Sequence, residues 1–230
     1  MSFRRTVTNL AGNAAARRAA PAIASRGVRQ FLGKAVDGFP GFPGAREVAR
    51  KHLAKTHDVD QAIKGVIEQH VRLAGAQGFV TNLGGVVTLA VAIPTNLAGL
   101  ALLQVRMAAA IAHLRGYEIS ATRVRAAALM TLLGEDGVRD AMKDKDIAST
   151  PHDIAKGVGE IDIATLESIT ARVTQAMVTR VGGKHATLAV TRRVPVIGGA
   201  VSAGVDAFAT YTVGRYADRE FPPHMMIERA

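Results

Sequence analysis

The chain has 230 residues, no cysteine, no tryptophan and a formal net charge of +10. That length suits one sizeable domain with an appendage, and such a domain buries a core without metals or disulfides. The missing cysteine excludes a disulfide framework, a thiol nucleophile and a Cys-based metal site.

The charge is unevenly placed. Residues 1–55 carry eleven basic side chains against Asp37 and Glu47, while the remaining residues hold 18 basic and 17 acidic ones. The pI therefore describes an arm rather than a domain, and points to an anionic partner. Residues 1–36 contain no acid at all. Arg4, Arg5, Arg17, Arg18, Arg26, Arg29 and Lys34 alternate there with Ala-rich stretches and with Phe3, Leu10, Phe31 and Leu32. We take residues 1–37 as a basic arm, amphipathic or disordered, with those seven cations as its anion-binding groups. The apolar h-region of a secretory signal is missing. The Arg-rich, acid-free start has some character of an organelle transit peptide, which nothing else in the chain supports. Pro21 breaks or kinks any helix in the arm.

Gly38-Phe39-Pro40-Gly41-Phe42-Pro43-Gly44 cannot continue a helix and reads as a hinge between arm and domain. Its two Phe either pack on the domain or dip into a membrane. Helix signals then recur over 45–221. Asp58 caps a segment with Val59, Ala62, Ile63, Val66 and Ile67 at helical spacing. Asn96 starts a helix running to Arg115 and ended by Gly116. Ser120 or Thr122 caps Val124–Leu133, closed by Gly134. Residues Glu135–Asp162 form a polar connector with short helices, and Thr150-Pro151 marks a turn or helix start. Asp162 caps Ile163, Leu166, Ile169, Val173 and Met177, with Gly182-Gly183 as the stop. A last helix spans Ile197–Phe221, and 222–230 is a tail. No stretch has a period-2 strand pattern with hairpin turns, so the fold class is all-α.

Two segments are apolar. From Leu73 to Val105 there is no charged residue. As one helix this would measure about 50 Å, against a bilayer core of about 30 Å. Pro94 implies two helices meeting near it. They form either a buried hairpin in a soluble core or a hairpin that enters or lies in a membrane. Gly75, Gly78, Gly84, Gly85 and Gly99 offer close-packing faces of the kind membrane helices favour. In Val194–Val213, Gly198, Gly199 and Gly204 do the same, and the lone charge is Asp206. An acid in such a run needs a partner or shifts its pKa; Arg106, Arg215 and Lys184 are candidates. Asp206, Arg106 and Asn82 make up a possible buried polar site.

The order and spacing of several motifs bring a family into view. They are Gly78-Phe79-Val80-Thr81-Asn82-Leu83-Gly84-Gly85, Ile93-Pro94-Thr95-Asn96-Leu97, and Gln104-Val105-Arg106-Met107 through Ile111-Ala112-His113-Leu114-Arg115-Gly116-Tyr117. Near the end come Arg193-Val194-Pro195-Val196-Ile197-Gly198-Gly199, Gly204-Val205-Asp206 and Gly214-Arg215-Tyr216-Ala217. Over residues 45–221 the chain resembles the EcsC family. The resemblance implies a bacterial, helical, membrane-associated protein and brings no catalytic residues with it. The basic arm lies outside the family pattern.

Enzymatic signatures are missing. Gly27 and Gly33-Lys34 do not have P-loop spacing, and Val178 occupies the first glycine position before Gly183-Lys184. Asp140, Asp144 and Asp146 lack the calcium-loop pattern. His52 and His57 are five apart, off one helical face, so they make a poor metal pair. His113 reads as a helix C-cap and His70 as a surface or packing residue. Ser202 has no nucleophile elbow. The sequence therefore indicates no catalytic residue, metal or cofactor. Four functions remain, in this order. The first is a membrane-associated helical protein at the cytoplasmic inner face, peripheral or partly inserted, binding anionic lipid. The second is a soluble scaffold or cargo-type protein docking on a macromolecule through the arm. The third is nonspecific nucleic-acid binding, which the scarce aromatics and missing reader motifs disfavour. The fourth is an enzyme centred on Asp206. Small-residue packing also suggests a homo-oligomer.

Overall fold

The computed structural model describes the backbone of residues 27–76, 95–159, 161–191 and 195–224. Every named element among them is helical. Residues 27–37 form α1; then come α2 (Ala45–Thr56), α3 (Val59–Gly75), α4 (Thr95–Leu114) and α5 (Thr122–Met130). A single 3₁₀ turn (Thr131–Leu133) leads into α6 (Gly134–Lys143), α7 (Pro151–Lys156), α8 (Ile163–Thr191) and α9 (Pro195–Glu220).

Local chemistry sets most boundaries. Asp58 Oδ1 accepts from the Gln61 N–H at 2.7 Å, and Asp162 Oδ1 does the same for Thr165 at 2.7 Å, so both expected N-caps form. Thr150 caps α7 with Pro151 just inside it, where the missing N–H costs nothing. At the end of α4, Gly116 takes φ +90°; its N–H reaches the His113 carbonyl while the Tyr117 N–H reaches Ala112. That is a Schellman cap, made by the glycine and the backbone rather than by the His113 side chain. Two boundaries differ from expectation. α5 has Ala121 at its N-cap with no side-chain bond, while the Ser120 N–H bonds to Glu118 instead. α8 runs straight through Gly182-Gly183 to Thr191, since a helix-interior glycine costs only about 1 kcal/mol against Ala and does not forbid the helix.

α4 is the axis of the bundle. Residues Ala101–Ala112 are all buried, on every side of the helix. A helix enclosed all round has no use for a polar face, which accounts for its alanine-rich run. α2, α3, α5 and α9 pack around it. α3 and α9 run antiparallel: Asp60 and Asp218 share Arg115, while Ile67 faces Gly214. α4 and α9 run parallel, with Gln104 bonded to Thr210 and Arg115 to Asp218. The bundle therefore has two unlike ends. At one, Arg115 clasps Asp60 and Asp218, both at 2.8 Å, tying together the start of α3 and the ends of α4 and α9. The other holds the end of α3 and the start of α4, on the charge-free stretch Leu73–Val105. Residues 77–94 of that stretch lie outside the described residues, and with them Gly78, Asn82, Gly84 and Gly85. No helix among the described residues is long and apolar enough to cross a membrane.

The arm and the hinge turn out differently from expectation at their junction. Val28, Leu32, Ala35 and Val36 of α1 are buried in the common core. Arg125 at the start of α5 forks onto Asp37, with Nη1–Oδ2 at 2.9 Å and Nη2–Oδ1 at 2.8 Å. The packed unit thus includes residues 28–37. The Phe-Pro-Gly repeat forms a hydrogen-bonded turn. Phe39 and Phe42 exchange both backbone hydrogen bonds, at 3.0 and 2.8 Å, across Pro40-Gly41, with Gly41 at φ +81°. Their rings stack at 4.9 Å. Pro then Gly in these positions is the type II turn pairing. A Cβ on Gly44 would sit 2.5 Å from the Asp37 carbonyl oxygen, so the chain doubles back too tightly for anything larger.

Among the described residues, an added Cβ on Gly204 would meet nothing within 4 Å, whereas one on Gly214 would lie 3.0 Å from Ile67 Cγ1 and 3.2 Å from Met107 Cε. Gly214 is where α9 approaches α3 and α4 closely. Gly198 and Gly199 lie in the first turns of α9. Substitutions at Gly214 and Gly204 should have opposite signs in denaturant unfolding. Gly214→Val should lose about 1–3 kcal/mol by overpacking, and Gly204→Ala should gain up to about 1 kcal/mol of helix propensity.

Candidate functional site: a buried arginine junction at the root of the basic arm

Arg106 sits in the middle of α4 and is 1% exposed. Among the described residues no carboxylate comes within ion-pairing distance of it. Its neighbours are neutral. Nε donates to His70 Nε2 at 3.1 Å, Nη1 donates to the Pro43 carbonyl at 3.2 Å, and the guanidinium lies 3.9 Å from the centroid of the Phe42 ring. Burial lowers its pKa to about 10, which still leaves it charged at neutral pH. A desolvated cation over an aromatic face gains about 2 kcal/mol, and each charged hydrogen bond adds to that. These contacts join three elements: the Phe-Pro-Gly turn, α3 and α4.

His70 is completed by the same geometry. It extends the buried face of Ile63, Val66 and Ile67 by one turn, and its Nδ1 lies 2.7 Å from the Val66 carbonyl. Arg106 offers only a donor to Nε2, so the neutral tautomer with its proton on Nδ1 satisfies both contacts. Burial first, then the Arg106 charge, lower the His70 pKa to about 3, with a smaller contribution from His52. His52 in turn contacts Gln69 Oε1 at 2.6 Å through Nε2. Gly65 makes room for that ring, since a Cβ there would lie 2.5 Å from His52 Nδ1.

The sequence-derived candidates divide as follows. Arg106 is buried as expected, but it binds His70 and Pro43 rather than Asp206. Arg215 reaches Asp218 at 3.8 Å. Asp206 is half-exposed on α9 and has a partner of its own. Asn82 and the Lys184 side chain lie outside the described residues. Among the described residues Arg106 instead clusters with His70, the Pro43 carbonyl and the Phe42 ring. Of the arm cations, Arg29 is exposed on α1, Lys34 is half-buried with a partner, and Arg4, Arg5, Arg17, Arg18 and Arg26 lie outside the described residues.

A shallow surface groove of about 530 Å³ lies between α2 and the end of α4, lined by Arg46, Arg50, Leu53, His113 and Leu114 among others. Arg46 is paired there with Glu118 at 2.5 Å. Hydrogen bonds from Ser120 and Arg46 pull the Glu118 pKa down to about 2. Burial and Arg46 lower His113. Among the described residues no group of His, Asp and Glu converges to hold a metal ion. Asp144 and Asp146 instead grip Arg172 of α8, at 2.8 and 3.4 Å.

The EcsC protein family model matches residues 44–222, within a residue at each end of the span expected from the motifs. α1 and the first six residues of the Phe-Pro-Gly turn precede the match, yet Phe42 and Pro43 supply two of the three contacts on Arg106. No curated protein and no solved structure matches the chain.

His70 makes stability pH-dependent in a definite direction. Its folded pKa lies below the unfolded value of about 6.5, so only the unfolded state gains a proton between the two. The neutral-His contribution is complete above about pH 6.5 and is lost as the pH falls toward 3. At pH 4.5 the loss amounts to about 3 kcal/mol. His70→Gln keeps an acceptor for Arg106 but does not titrate. Denaturant unfolding between pH 4 and 7 should therefore show a shallower decline for this variant. Equal slopes would show that His70 does not govern acid stability.

Proposed function

The chain belongs to the EcsC protein family, and we propose that it works as a non-catalytic helical body that a basic arm holds to an anionic membrane surface. One observation carries this reading. The arm is rooted in the core by the buried face of α1 and by the Arg125–Asp37 fork, so a force on the arm acts on the whole bundle. The 26 residues before that root contain five arginines and no acid. Each basic residue near an anionic bilayer gains about 1 kcal/mol, decaying within a Debye length. Five make an attachment of moderate strength that salt reverses. The arm's apolar residues Phe3, Val7 and Leu10 add shallow insertion.

Full-length protein should sediment with phosphatidylglycerol-containing vesicles at low salt and be released at high salt. It should not sediment with neutral phosphatidylcholine vesicles. Changing Arg4, Arg5, Arg17, Arg18 and Arg26 together to Gln should weaken binding by at least about tenfold. Undiminished binding by that variant would remove the arm from the mechanism. No binding by the wild-type chain would favour docking on a protein partner.

A further inference from the structure

α9 has two unlike faces. Thr210, Val213, Gly214, Tyr216 and Ala217 face inward, while Val205, Phe208 and Tyr211 face outward at 40%, 72% and 50% exposure. The outward three follow one another at i, i+3 and i+6, forming a single stripe along the helix. They are large, and they include two of the chain's ten Phe and Tyr residues. Exposed apolar groups arranged in a patch mark a contact surface, unlike single scattered ones.

We propose that this stripe is the face of the domain that rests in the headgroup region of the bilayer. The inference builds on the arm-mediated attachment above and adds the side of the bundle that meets the lipid. Two observations choose lipid over a second copy of the chain. The first is area. The exposed parts of Val205, Phe208 and Tyr211 together make roughly 300 Å², far short of the about 800 Å² per partner of a stable protein interface. A few aromatic side chains do suffice for interfacial insertion when a basic segment supplies the remaining attraction. The second is position. α9 is parallel to α4 and antiparallel to α3, so the stripe begins toward the end of the bundle where α3 finishes and α4 starts, on the charge-free stretch Leu73–Val105. The ion pairs Arg115–Asp60, Arg115–Asp218 and Arg219–Glu135 lie toward the opposite end. A membrane met with that end leading would leave Arg115, Asp60 and Asp218 in water, while Arg215 and Arg219, which continue the outward face of α9 beyond the stripe, would lie toward the headgroup phosphates. Phe and Tyr are suited to this depth, with an apolar ring and, for Tyr, a polar tip.

The chain has no tryptophan, so a single substitution makes a site-specific reporter. In full-length Phe208→Trp, vesicles of phosphatidylglycerol and brominated phosphatidylcholine should shift the emission to the blue and quench it. Leu53→Trp, on α2 beside the end of α4, should do neither. Phe208→Asp should lower vesicle affinity by roughly tenfold, and its 72% exposure keeps the fold intact. Vesicle binding by Phe208→Trp with unchanged indole emission would overturn the stripe as the lipid face and leave the arm reading standing. A blue shift without vesicles that grows with protein concentration would assign the stripe to self-association and overturn the proposal. Failure of the wild-type chain to bind vesicles would overturn both readings.

Discussion

An arginine enclosed in a helical core, with no carboxylate beside it among the described residues, is a severe constraint, and the arrangement of this protein depends on how it is met. The charge of Arg106 costs several kcal/mol to desolvate. It is offset by neutral groups drawn from two other parts of the chain: the ring of Phe42, the carbonyl of Pro43 and the imidazole of His70. Each of these must be held in place for the charge to be tolerated. The Phe-Pro-Gly turn is therefore tight, with glycines where a Cβ would collide with backbone. His70 stays neutral, because a second ring proton would point at a donor. α4 is enclosed on every side from Ala101 to Ala112, so Arg106, His70 and the Phe42 ring are shut off from water. Removing any one partner leaves a charge or a carbonyl buried without its contact, which makes the junction specify one packing rather than several.

The junction also shapes how the charge-rich N-terminus relates to the rest. The turn that a composition-based reading takes for a hinge is pinned at one end by Arg106 and at the other by Arg125 on Asp37. On the proposed attachment, attraction between the arginines of residues 1–26 and an anionic surface would act on a body whose two ends differ, one carrying Arg115 with Asp60 and Asp218 and the other the charge-free sequence from Leu73 to Val105. For that proposal the asymmetry matters more than the net charge, because it would give an attached domain a preferred orientation. It follows from the antiparallel course of α3 and α9 and from the charge-free sequence on either side of Pro94.

Much of this architecture was legible in the sequence. The face Ala62, Ile63, Val66 and Ile67 behind Asp58, the helix from Asn96 to Gly116, and the Thr150-Pro151 start all rest on local rules of spacing and capping, which hold when few residues are involved. Gly182-Gly183 shows the limit of those rules, since two glycines weaken a helix without stopping it. The long-range contacts were not legible. Phe42 and Arg106 are 64 positions apart, and Asp37 and Arg125 are 88 apart. No periodicity connects them. Two signals did exist. His70 continues an apolar face at the i+7 position from Ile63, and Arg106 is the lone charge in a helix with no polar side, so each had to be buried and to find a partner. Which partner depended on the turn, whose Phe residues were open to either packing or membrane contact.

The central claim is that the bundle is attached by its arm and oriented by its apolar side. Hydrogen–deuterium exchange of the full-length chain, with and without phosphatidylglycerol vesicles, tests it most directly. The account predicts added protection in residues 1–26 and in the α9 stripe around Val205–Tyr211, with no change around Asp60, Gly116–Ser120 and Asp218. Protection concentrated at that charged end, or absent from both the arm and the stripe, would contradict it.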